Sequence, residues 1–493
     1  MAVAITTKTG DAKTAQADAL IVPIGAGAGI PDGITSAFDG QLAGALEANG
    51  FSGKRGEVVA YPTFGKLGAR TLVLTGLGEQ SDEPGRWGET LRRAYGAAIK
   101  KARDEGARKV AAALPDGADD DDIGEIVEGL TLALYRYTRY KTGEAASPKK
   151  QVEAIEPGPP APSPLDAVAH GQSRRGRLGS NSRATSSTPS ATTRPRPRSP
   201  KPRAKSPPRP NSASNARPRS PGKGGYNSII TVGKGSSADP RLVELTYEPA
   251  GGATKTIALV GKTITFDSGG LDLKTQDGMY SMKSDMGGGA SVIGAMKAIA
   301  MLQPKVRVIG IMTAAENMPS GTAMRPSDVV KALNGKTFEI GNTDAEGRMV
   351  LADAVTHAAR LGADEIIDLA TLTGAKMIAL GNVAVAVMGN NQDLIDRFMT
   401  AAGDAGERVW QLPTWDEYKD ALKSDIADLK STGGRGGGAI TAALFIGEFV
   451  EGKPWIHLDI AGSAMTDADG PYTAKGGTGV MVRSLVKYVE SQA

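Results

Sequence analysis

Hydrophobic and polar positions alternate along residues 1–145 in the manner of a small α/β domain. Short apolar runs, two of them ending in glycine, predict buried strands, whereas longer runs with helical spacing predict helices. Acidic residues in the first turn of the last helical run are typical of a helix N-terminus. The predicted strands are 18–25, 70–78 and 108–115, and the predicted helices are 85–106 and 121–141.

The same alternation resumes at residue 224 and continues to the C-terminus. Because apolar strands here alternate with helical runs, the pattern predicts a mostly parallel sheet with helices on both faces. We therefore expect an α/β chain with a small N-terminal domain, 1–145, and a larger C-terminal domain, 224–493. In the larger domain the predicted strands are 254–261, 305–315, 364–371, 382–389 and 454–462, and the helices include 291–302 and 348–362.

Residues 146–223 lose this periodicity and separate the two domains. Within them, 171–223 hold fourteen Lys or Arg, ten prolines and no Asp or Glu, and Leu178 is their only large aliphatic or aromatic residue. Such a segment cannot bury enough apolar surface to offset its ordering entropy, so we expect disorder. The whole chain carries a net charge of +4, so the remainder carries −10 without this basic strip.

The amino-acid composition limits the kinds of catalytic and metal-binding sites that the chain can form. The chain has no cysteine, which excludes disulfides, zinc fingers, iron–sulfur clusters and thiol nucleophiles. It has only three histidines, so a metal site must be built mainly from carboxylates. No apolar run reaches the ~20 residues that cross a bilayer. The N-terminus lacks a basic segment followed by an apolar one, so we expect a cytoplasmic protein with no membrane association.

Carboxylates and glycines cluster in three segments that follow predicted strands: "GKTITFDSGGLDLK" at 261–274, "MKSDMGGGA" at 282–290 and "NTDAEGRMVLADA" at 342–354. Strand ends are where α/β folds bind ligands. Asp344 and Glu346, two positions apart, can point the same way along an extended turn, where their charges repel unless a cation intervenes. The pattern predicts a two-cation carboxylate cluster that activates a shared water.

These segments resemble the leucyl aminopeptidase family (cytosol aminopeptidase, peptidase family M17). The resemblance covers 1–145 loosely and 224–493 closely, including "WIHLDIAGSA" near the C-terminus. It implies an N-terminal α/β domain and a C-terminal α/β/α zinc-peptidase domain with a mixed, mostly parallel sheet. It also implies a homohexamer that binds two divalent ions per subunit, Mn²⁺ or Zn²⁺, and removes N-terminal leucine and similar residues from peptides.

The resemblance assigns five metal ligands. Asp267 and Glu346 would bridge the two ions, and Asp344 would bind the more loosely held one. Lys262 and Asp285 would complete the tighter site, which receives the α-amine of the substrate, and a water bridging the metals would attack the scissile carbonyl. Lys262 can ligate only as a neutral amine, so its pKa must fall from ~10.4 by burial and nearby cations.

The resemblance also assigns catalytic and substrate-binding roles. Lys274 would stay charged and stabilise the developing oxyanion, and Arg348 would hold a bicarbonate ion that acts as general base. We expect His357 to be packed or exposed and His457 to be structural. The positions that match the substrate pocket and oxyanion region are Met282, Thr371, Leu372 and Gly374.

The basic strip departs from the family, which has the start of the catalytic domain there, including a helix with Ala-Arg-Asp-Leu-Val-Asn-Thr. One hypothesis is a nucleic-acid-binding arm, which would make the chain a DNA-binding regulatory protein on an aminopeptidase scaffold. A second hypothesis is a plain linker. The third is a shifted reading frame in the coding sequence. The first two leave the missing family elements unexplained.

The frame-shift hypothesis passes a test on paper. With GC-rich codons, Val-Glu-Leu-Ala-Arg-Asp-Leu-Val-Asn-Thr read one nucleotide late becomes "SNSRATSSTP", which is residues 180–189. A chain that truly carries the strip would lack a helix and a strand, a loss comparable to the ~5–15 kcal/mol that keeps a domain folded. We therefore expect incompletely assembled ligands and weak or no activity for this chain, and ordinary activity for a frame-restored one.

Overall fold

The computed structural model describes residues 4–5, 14–79, 85–143, 150–158, 217–219 and 225–493. Almost all of the basic strip lies outside these described residues. Contacts divide the chain into two units, and the predicted domain boundaries remain predictions. The first unit is 1–184, 404–406 and 467–475, and the second is 185–403, 407–466 and 476–493.

The first unit contains a six-stranded sheet in the order β1-β6-β5-β2-β4-β3, in which only β3 and β4 pair antiparallel. Its strands are β1 Ala4–Ile5, β2 Ala19–Gly25, β3 Val58–Pro62, β4 Thr71–Gly78, β5 Lys109–Ala113 and β6 Ala154–Gly158. Its helices are α1 Asp32–Ala37, α2 Gln41–Ala48, α3 Arg86–Asp104 and α4 Asp120–Ala133. Buried aliphatic residues cover both faces of the sheet.

Helix α4 begins as predicted but ends earlier than the predicted 121–141. The side chain of Asp119 caps its first turn by accepting from the Asp122 N–H at 2.8 Å. At the other end, the Leu134 and Tyr135 N–H groups bond to carbonyls three residues back, which tightens and terminates the helix. The following apolar residues, among them Tyr140, are exposed and have no core to cover.

The second unit is built on an eight-stranded sheet in the order β15-β14-β17-β13-β9-β10-β8-β7. Its strands are β7 Arg217–Arg219, β8 Arg241–Tyr247, β9 Thr256–Asp267, β10 Arg307–Asn317, β13 Glu365–Ala370, β14 Val385–Gly389, β15 Val409–Gln411 and β17 Trp455–Asp459. Smaller sheets are formed by β11 Val329–Lys331, β12 Thr337–Glu339 and β16 Leu429–Lys430, and by β18 Met465–Thr466 and β19 Gly476–Gly477.

Helices cover this sheet, and short 3₁₀ turns connect several of them. The α-helices are α5 Asn227–Gly233, α6 Gln276–Tyr280, α7 Gly287–Leu302, α8 Glu346–Arg360, α9 Gly374–Leu380, α10 Gln392–Asp404, α11 Gly438–Gly447 and α12 Val482–Ser491. The 3₁₀ turns are Met282–Ser284, Thr343–Ala345 and Asp416–Leu422. None of the helices in the described part of the chain is long and apolar enough to cross a membrane.

The centre of the sheet is parallel, and its outer strands supply the antiparallel pairs. Strand β9 lies between β10 and β13 and is parallel to both, and β13 is parallel to β17. Strands β8 and β14 run antiparallel to their inner neighbours. The predicted α/β class with a mixed, mostly parallel sheet is confirmed.

Strand β9 is longer than the predicted 254–261 because it pairs with β10 over its whole length, whereas β13 accompanies it only as far as Gly261. Helix α7 packs directly against it: a Cβ on Gly261 would lie 2.6 Å from the Cα of Gly289. This close approach sets the start of α7 beside the middle of β9.

Candidate metal centre

The carboxyl end of the central strands brings together the five predicted metal ligands. Strand β9 carries Lys262 and Asp267, and the loop before α7 carries Asp285. The connection from β12 into α8 carries Asp344 and Glu346. All except Asp344 are buried. Every supporting contact described below lies within 225–493. The expectation that a chain carrying the strip has weak or no activity stays a prediction.

Lys262 is at the centre of the cluster. Its Nζ lies 2.7 Å from Asp285 Oδ1 and 2.8 Å from Glu346 Oε1, and donates to the Thr371 carbonyl at 3.0 Å. A Cβ on Gly347 would lie 2.7 Å from the same Nζ, so glycine at this position leaves the space that the lysine fills.

Lys274 is the second cation. Its Nζ lies 2.9 Å from Asp267 Oδ2 and also contacts Asp344. One carboxylate oxygen from each of Asp267, Asp344 and Glu346 lies within 4.8 Å of the others, close enough for one ion to contact all three. Four carboxylates thus face two ammonium groups, which leaves an excess of negative charge.

The pKa values of the buried groups reflect this excess. Burial raises the pKa of Glu346 to about 8, helped by the charges of Asp267 and Asp285 and opposed by Lys262. Burial likewise raises the pKa of Asp285 to about 6 against the attraction of Lys262. For Lys262 itself, burial works against the charged form, but the neighbouring carboxylates prevail and raise its pKa above the ordinary value.

The residues present fit divalent metal ions. Asp285 Oδ2 and Glu346 Oε2 are buried and have no hydrogen-bond partner among the described residues. Unpartnered anionic oxygens in a buried site are costly unless a cation satisfies them, and carboxylate oxygen is a ligand type that Zn²⁺ and Mn²⁺ accept. With the carboxylates alone as neighbours Lys262 is an ammonium, and added cations would lower its pKa toward the neutral form.

The predicted extended turn carrying Asp344 and Glu346 is instead a 3₁₀ turn followed directly by a helix. The Asn342 side chain accepts from the Asp344 N–H at 2.7 Å and begins the turn. Glu346 is the first residue of α8, so the helix dipole faces its carboxylate. The two acids converge because the turn folds back, and the spacing of two residues alone does not produce this.

Asn317 supports the cluster and was not predicted from the sequence. A register shift between Ala315 and Glu316 lets Asn317 pair with Asp267 at the end of β10. Its Nδ2 donates to Asp267 Oδ1 at 2.9 Å and to the Thr343 carbonyl at 3.0 Å. The one available signal was its position two residues after a predicted parallel strand, at the sheet edge that also carries Asp267.

Arg348, one turn into α8, is buried beneath the cluster. Its Nη1 donates to the Ser431 carbonyl at 2.9 Å, whereas its Nε has no hydrogen-bond partner in the described part of the chain. Burial lowers its pKa to about 10, opposed by Glu346 and Asp459. A buried guanidinium with an unused donor is suited to holding a small anion.

The predicted substrate residues lie around the same edge. The Thr371 hydroxyl donates to Asp285 Oδ1 at 2.7 Å, and Gly374 is exposed at the start of α9. The half-buried Leu372 donates its N–H to Asp459 Oδ1 at 3.2 Å. Met282 is half-buried one turn before Asp285, whose N–H donates to the Met282 carbonyl at 3.2 Å.

His357 and His457 are buried and hydrogen-bonded to residues outside the cluster, as a structural role requires. His357 lies 3.2 Å from Glu244 through Nε2, and its Nδ1 lies 3.0 Å from the Tyr226 hydroxyl. His457 Nδ1 lies 2.6 Å from Asp368 Oδ1.

Comparison with known proteins adds to this geometry. The family model described as "Cytosol aminopeptidase family, catalytic domain" matches residues 201–486, and the corresponding N-terminal domain model matches 26–144. A probable cytosol aminopeptidase of Alkaliphilus oremlandii is 40% identical over 489 residues, covering 97% of each chain.

Two solved structures are also similar. The bottromycin maturation enzyme BotP in complex with Mn aligns with a TM-score of 0.79 and 31% identity, covering 96% of this chain and 99% of that one. A tomato leucine aminopeptidase mutant aligns with a TM-score of 0.81 and 29% identity, covering 99% of this chain and 96% of that one. None of these names offers support for the DNA-binding alternative.

Proposed function

The chain belongs to the cytosol aminopeptidase family and is a metal-dependent peptidase, and we propose that it removes N-terminal leucine and similar residues from peptides. The observation that carries the proposal is the buried cluster in which Lys262 and Lys274 lie among four converging carboxylates. A protein gains nothing in stability from concentrating so many like charges, so the cluster is there to bind cations.

Five residues would hold two divalent ions, with Asp267 and Glu346 shared between them. Asp344 would complete one site, and Lys262 and Asp285 the other. Bound ions would supply Lewis acidity and lower the pKa of water, and a bicarbonate at Arg348 would supply a base. The manganese in the BotP complex supports Mn²⁺, and Zn²⁺ accepts the same ligands.

The chain's own side chains explain how substrate is oriented. With the ions bound, the site completed by Lys262 and Asp285 would receive the unprotonated α-amine of a peptide N-terminus, a contact that an internal or blocked residue cannot make. Neighbouring carboxylates raise the pKa of Lys274, although burial opposes them, so it remains protonated and can stabilise an oxyanion on the scissile carbonyl. Arg348 would keep a proton acceptor beside Glu346.

Leucine preference is supported by the similarity to a leucine aminopeptidase. A small cavity lies beside the cluster, and its lining residue Gly287 is close to Thr371 and Ala464, since a Cβ there would lie 3.2 Å from each. The lining includes Met286, Gly287, Ala290, Ala464, Met465 and Val480.

We also propose a cytoplasmic homohexamer. The relatives' printed name, cytosol aminopeptidase, supports the location. The assembly is proposed from the family resemblance, and exposed apolar side chains on the second unit, such as Tyr280, Ile378 and Trp415, are available to an interface. Light scattering of the purified protein tests it: a monomer at micromolar concentration would contradict the hexamer.

The peptidase proposal is tested with leucine anilide and its N-acetyl derivative. We expect hydrolysis of the first only, loss of activity after chelation, and recovery with Mn²⁺ or Zn²⁺ at two ions per chain. Equal hydrolysis of the acetylated substrate, or full activity after metal removal, would contradict the proposal.

The effect of the basic strip on activity is tested by comparing two chains. We expect the chain as written to be less active than a chain whose frame is restored across 171–223, and sequencing the gene would show which one is natural. Equal rates would contradict the expectation. Retention on DNA that disappears at high salt and on deletion of 171–223 would favour the DNA-binding alternative.

A further inference from the structure

Asp459 is a fully buried carboxylate that none of the assigned roles uses. It is the last residue of β17 and pairs in parallel register with Ala370, the last residue of β13. The chain that leaves β13 at this point is the 371–374 loop, which contains three of the predicted substrate residues. Asp459 therefore lies beside the first residue of that loop.

The carboxylate of Asp459 receives hydrogen bonds from the loop on both oxygens. Oδ1 accepts from the Leu372 N–H at 3.2 Å and from the Ala461 N–H at 3.1 Å, and Oδ2 accepts from the Thr373 hydroxyl at 2.6 Å. Bonds to an ionised acceptor are about twice as strong as neutral ones. Two consecutive loop residues are thus fixed against one rigid strand.

Apolar packing holds this loop only in part, through the half-buried Leu372 and Leu380, which pack against the core. In helix α9, which follows it, Lys376 is the only buried residue, and Ile378 is 90% exposed. Lys376 forms a second polar tie, because its Nζ donates to the Ala461 carbonyl at 2.7 Å and to the Ser463 hydroxyl at 2.8 Å. Polar contacts with 459–463 therefore act together with this packing to fix the position of the loop.

The loop in turn touches the metal cluster through Thr371. Its carbonyl accepts from Lys262 and its hydroxyl donates to Asp285. We propose that Asp459 is a positioning residue for the peptidase reaction: it holds the 371–374 loop so that Thr371 meets Lys262 and Asp285 while Leu372 and Gly374 face the substrate. This inference rests on the proposed function.

The test replaces Asp459 and, separately, its partner Thr373. For Asp459→Asn we expect KM for leucine anilide to rise about tenfold, the equivalent of one charge-assisted hydrogen bond, with kcat per metal-loaded site changed much less. Thr373→Val should raise KM in the same direction, and Thr373→Ser, which keeps the hydroxyl, should restore it. If Asp459→Asn does not fold, the KM values of Thr373→Val and Thr373→Ser decide whether the proposal holds.

Asp368→Asn is the matched control, because Asp368 is equally buried on the neighbouring strand but bonds to His457 and Trp455. A merely structural effect lowers thermal stability and the active fraction and leaves KM unchanged, and this is the result expected of the control. KM values within twofold of wild type for both Asp459→Asn and Thr373→Val would overturn the proposal.

Hydrogen exchange of the metal-loaded protein separates this inference from the proposed function, because it needs no activity. We expect the amides of Leu372 and Thr373 to exchange faster in Asp459→Asn than in wild type or Asp368→Asn. Unchanged exchange would overturn the positioning role even in an active enzyme. An inactive wild type with the expected change in exchange would refute the peptidase function and leave the loop contact standing.

Discussion

The two units are built on the same kind of sheet but differ at the ends of their strands. In the first unit, β2 ends at Gly25, β4 at Gly78 and β5 at Ala113. In the second, β9 ends at Asp267 and β10 at Asn317. The architecture is similar, and among the described residues the carboxylate cluster lies in the second unit. The comparison indicates that strand-end residues, rather than the α/β fold, carry the proposed peptidase site.

The largest expected effect comes from removing one carboxylate of the cluster. For Glu346→Gln we expect kcat/KM to fall about 10³-fold, the equivalent of roughly 4 kcal/mol of lost transition-state stabilisation. Metal analysis should show fewer bound ions. Because burial already raises the pKa of Glu346 to about 8, the metal-free variant should unfold at nearly the same temperature as wild type.

The control is a buried glutamate of the first unit. Glu125 forms an ion pair with Arg92, which is itself buried. Glu125→Gln should lower the free energy of unfolding by about 1–3 kcal/mol and keep kcat/KM per folded molecule. If Glu125→Gln abolished activity as completely as Glu346→Gln, the contrast between the two units would be lost.

A smaller effect is expected at Asn317, which supports a metal ligand without being one. Asn317→Ala removes the donor to Asp267 and should weaken metal affinity by about 10–100-fold, as measured by calorimetric titration. Asn334→Ala, which removes a part-buried hydrogen bond to the Glu448 carbonyl away from the cluster, is the control. Unchanged metal affinity in Asn317→Ala would show that Asp267 needs no support from β10.

The third prediction concerns how the second unit holds its first helix. The Asp353 carboxylate on α8 accepts from the N–H groups of Ser228, Ile229 and Leu333 at 2.9–3.2 Å. Asp353→Ala would leave these buried donors unpaired and should cost at least about 3 kcal/mol of unfolding free energy. The control is Asp364→Ala, because the Asp364 carboxylate is exposed and accepts from the Thr256 N–H. It should lower the free energy of unfolding by less than Asp353→Ala does.

The smallest effect is a pH dependence at His457. Burial disfavours its charged form, but Asp368, with a further contribution from Asp459 and opposition from Arg348, raises its pKa above the ordinary value. A raised pKa in the folded state gives stability that is complete below the unfolded value of about 6.5 and is lost as pH rises through the folded value. The unfolding temperature of wild type should therefore fall more steeply above pH 6.5 than that of His457→Gln. Parallel curves of unfolding temperature against pH would contradict this.

Much of the site could be predicted because its residues lie in unbroken local patterns. The runs around Lys262, Asp285 and Glu346 place acids and glycines after apolar strands, and the long signature from Asn342 identifies the family. By contrast, Asn317 and Asp459 look like ordinary strand-end residues, because their roles depend on which strands become neighbours.

The sequence by itself determined the α/β class, the family and which side chains can bind metal, since periodicity and local motifs are written in consecutive residues. Only the tertiary structure decided that Asp344 and Glu346 converge through a 3₁₀ turn, that Asn317 donates to Asp267 and that Asp459 accepts hydrogen bonds from the 371–374 loop. The last two of these contacts join residues far apart in the chain. They arise from the parallel order of β10, β9, β13 and β17, which brings the carboxyl ends of separate strands to one edge.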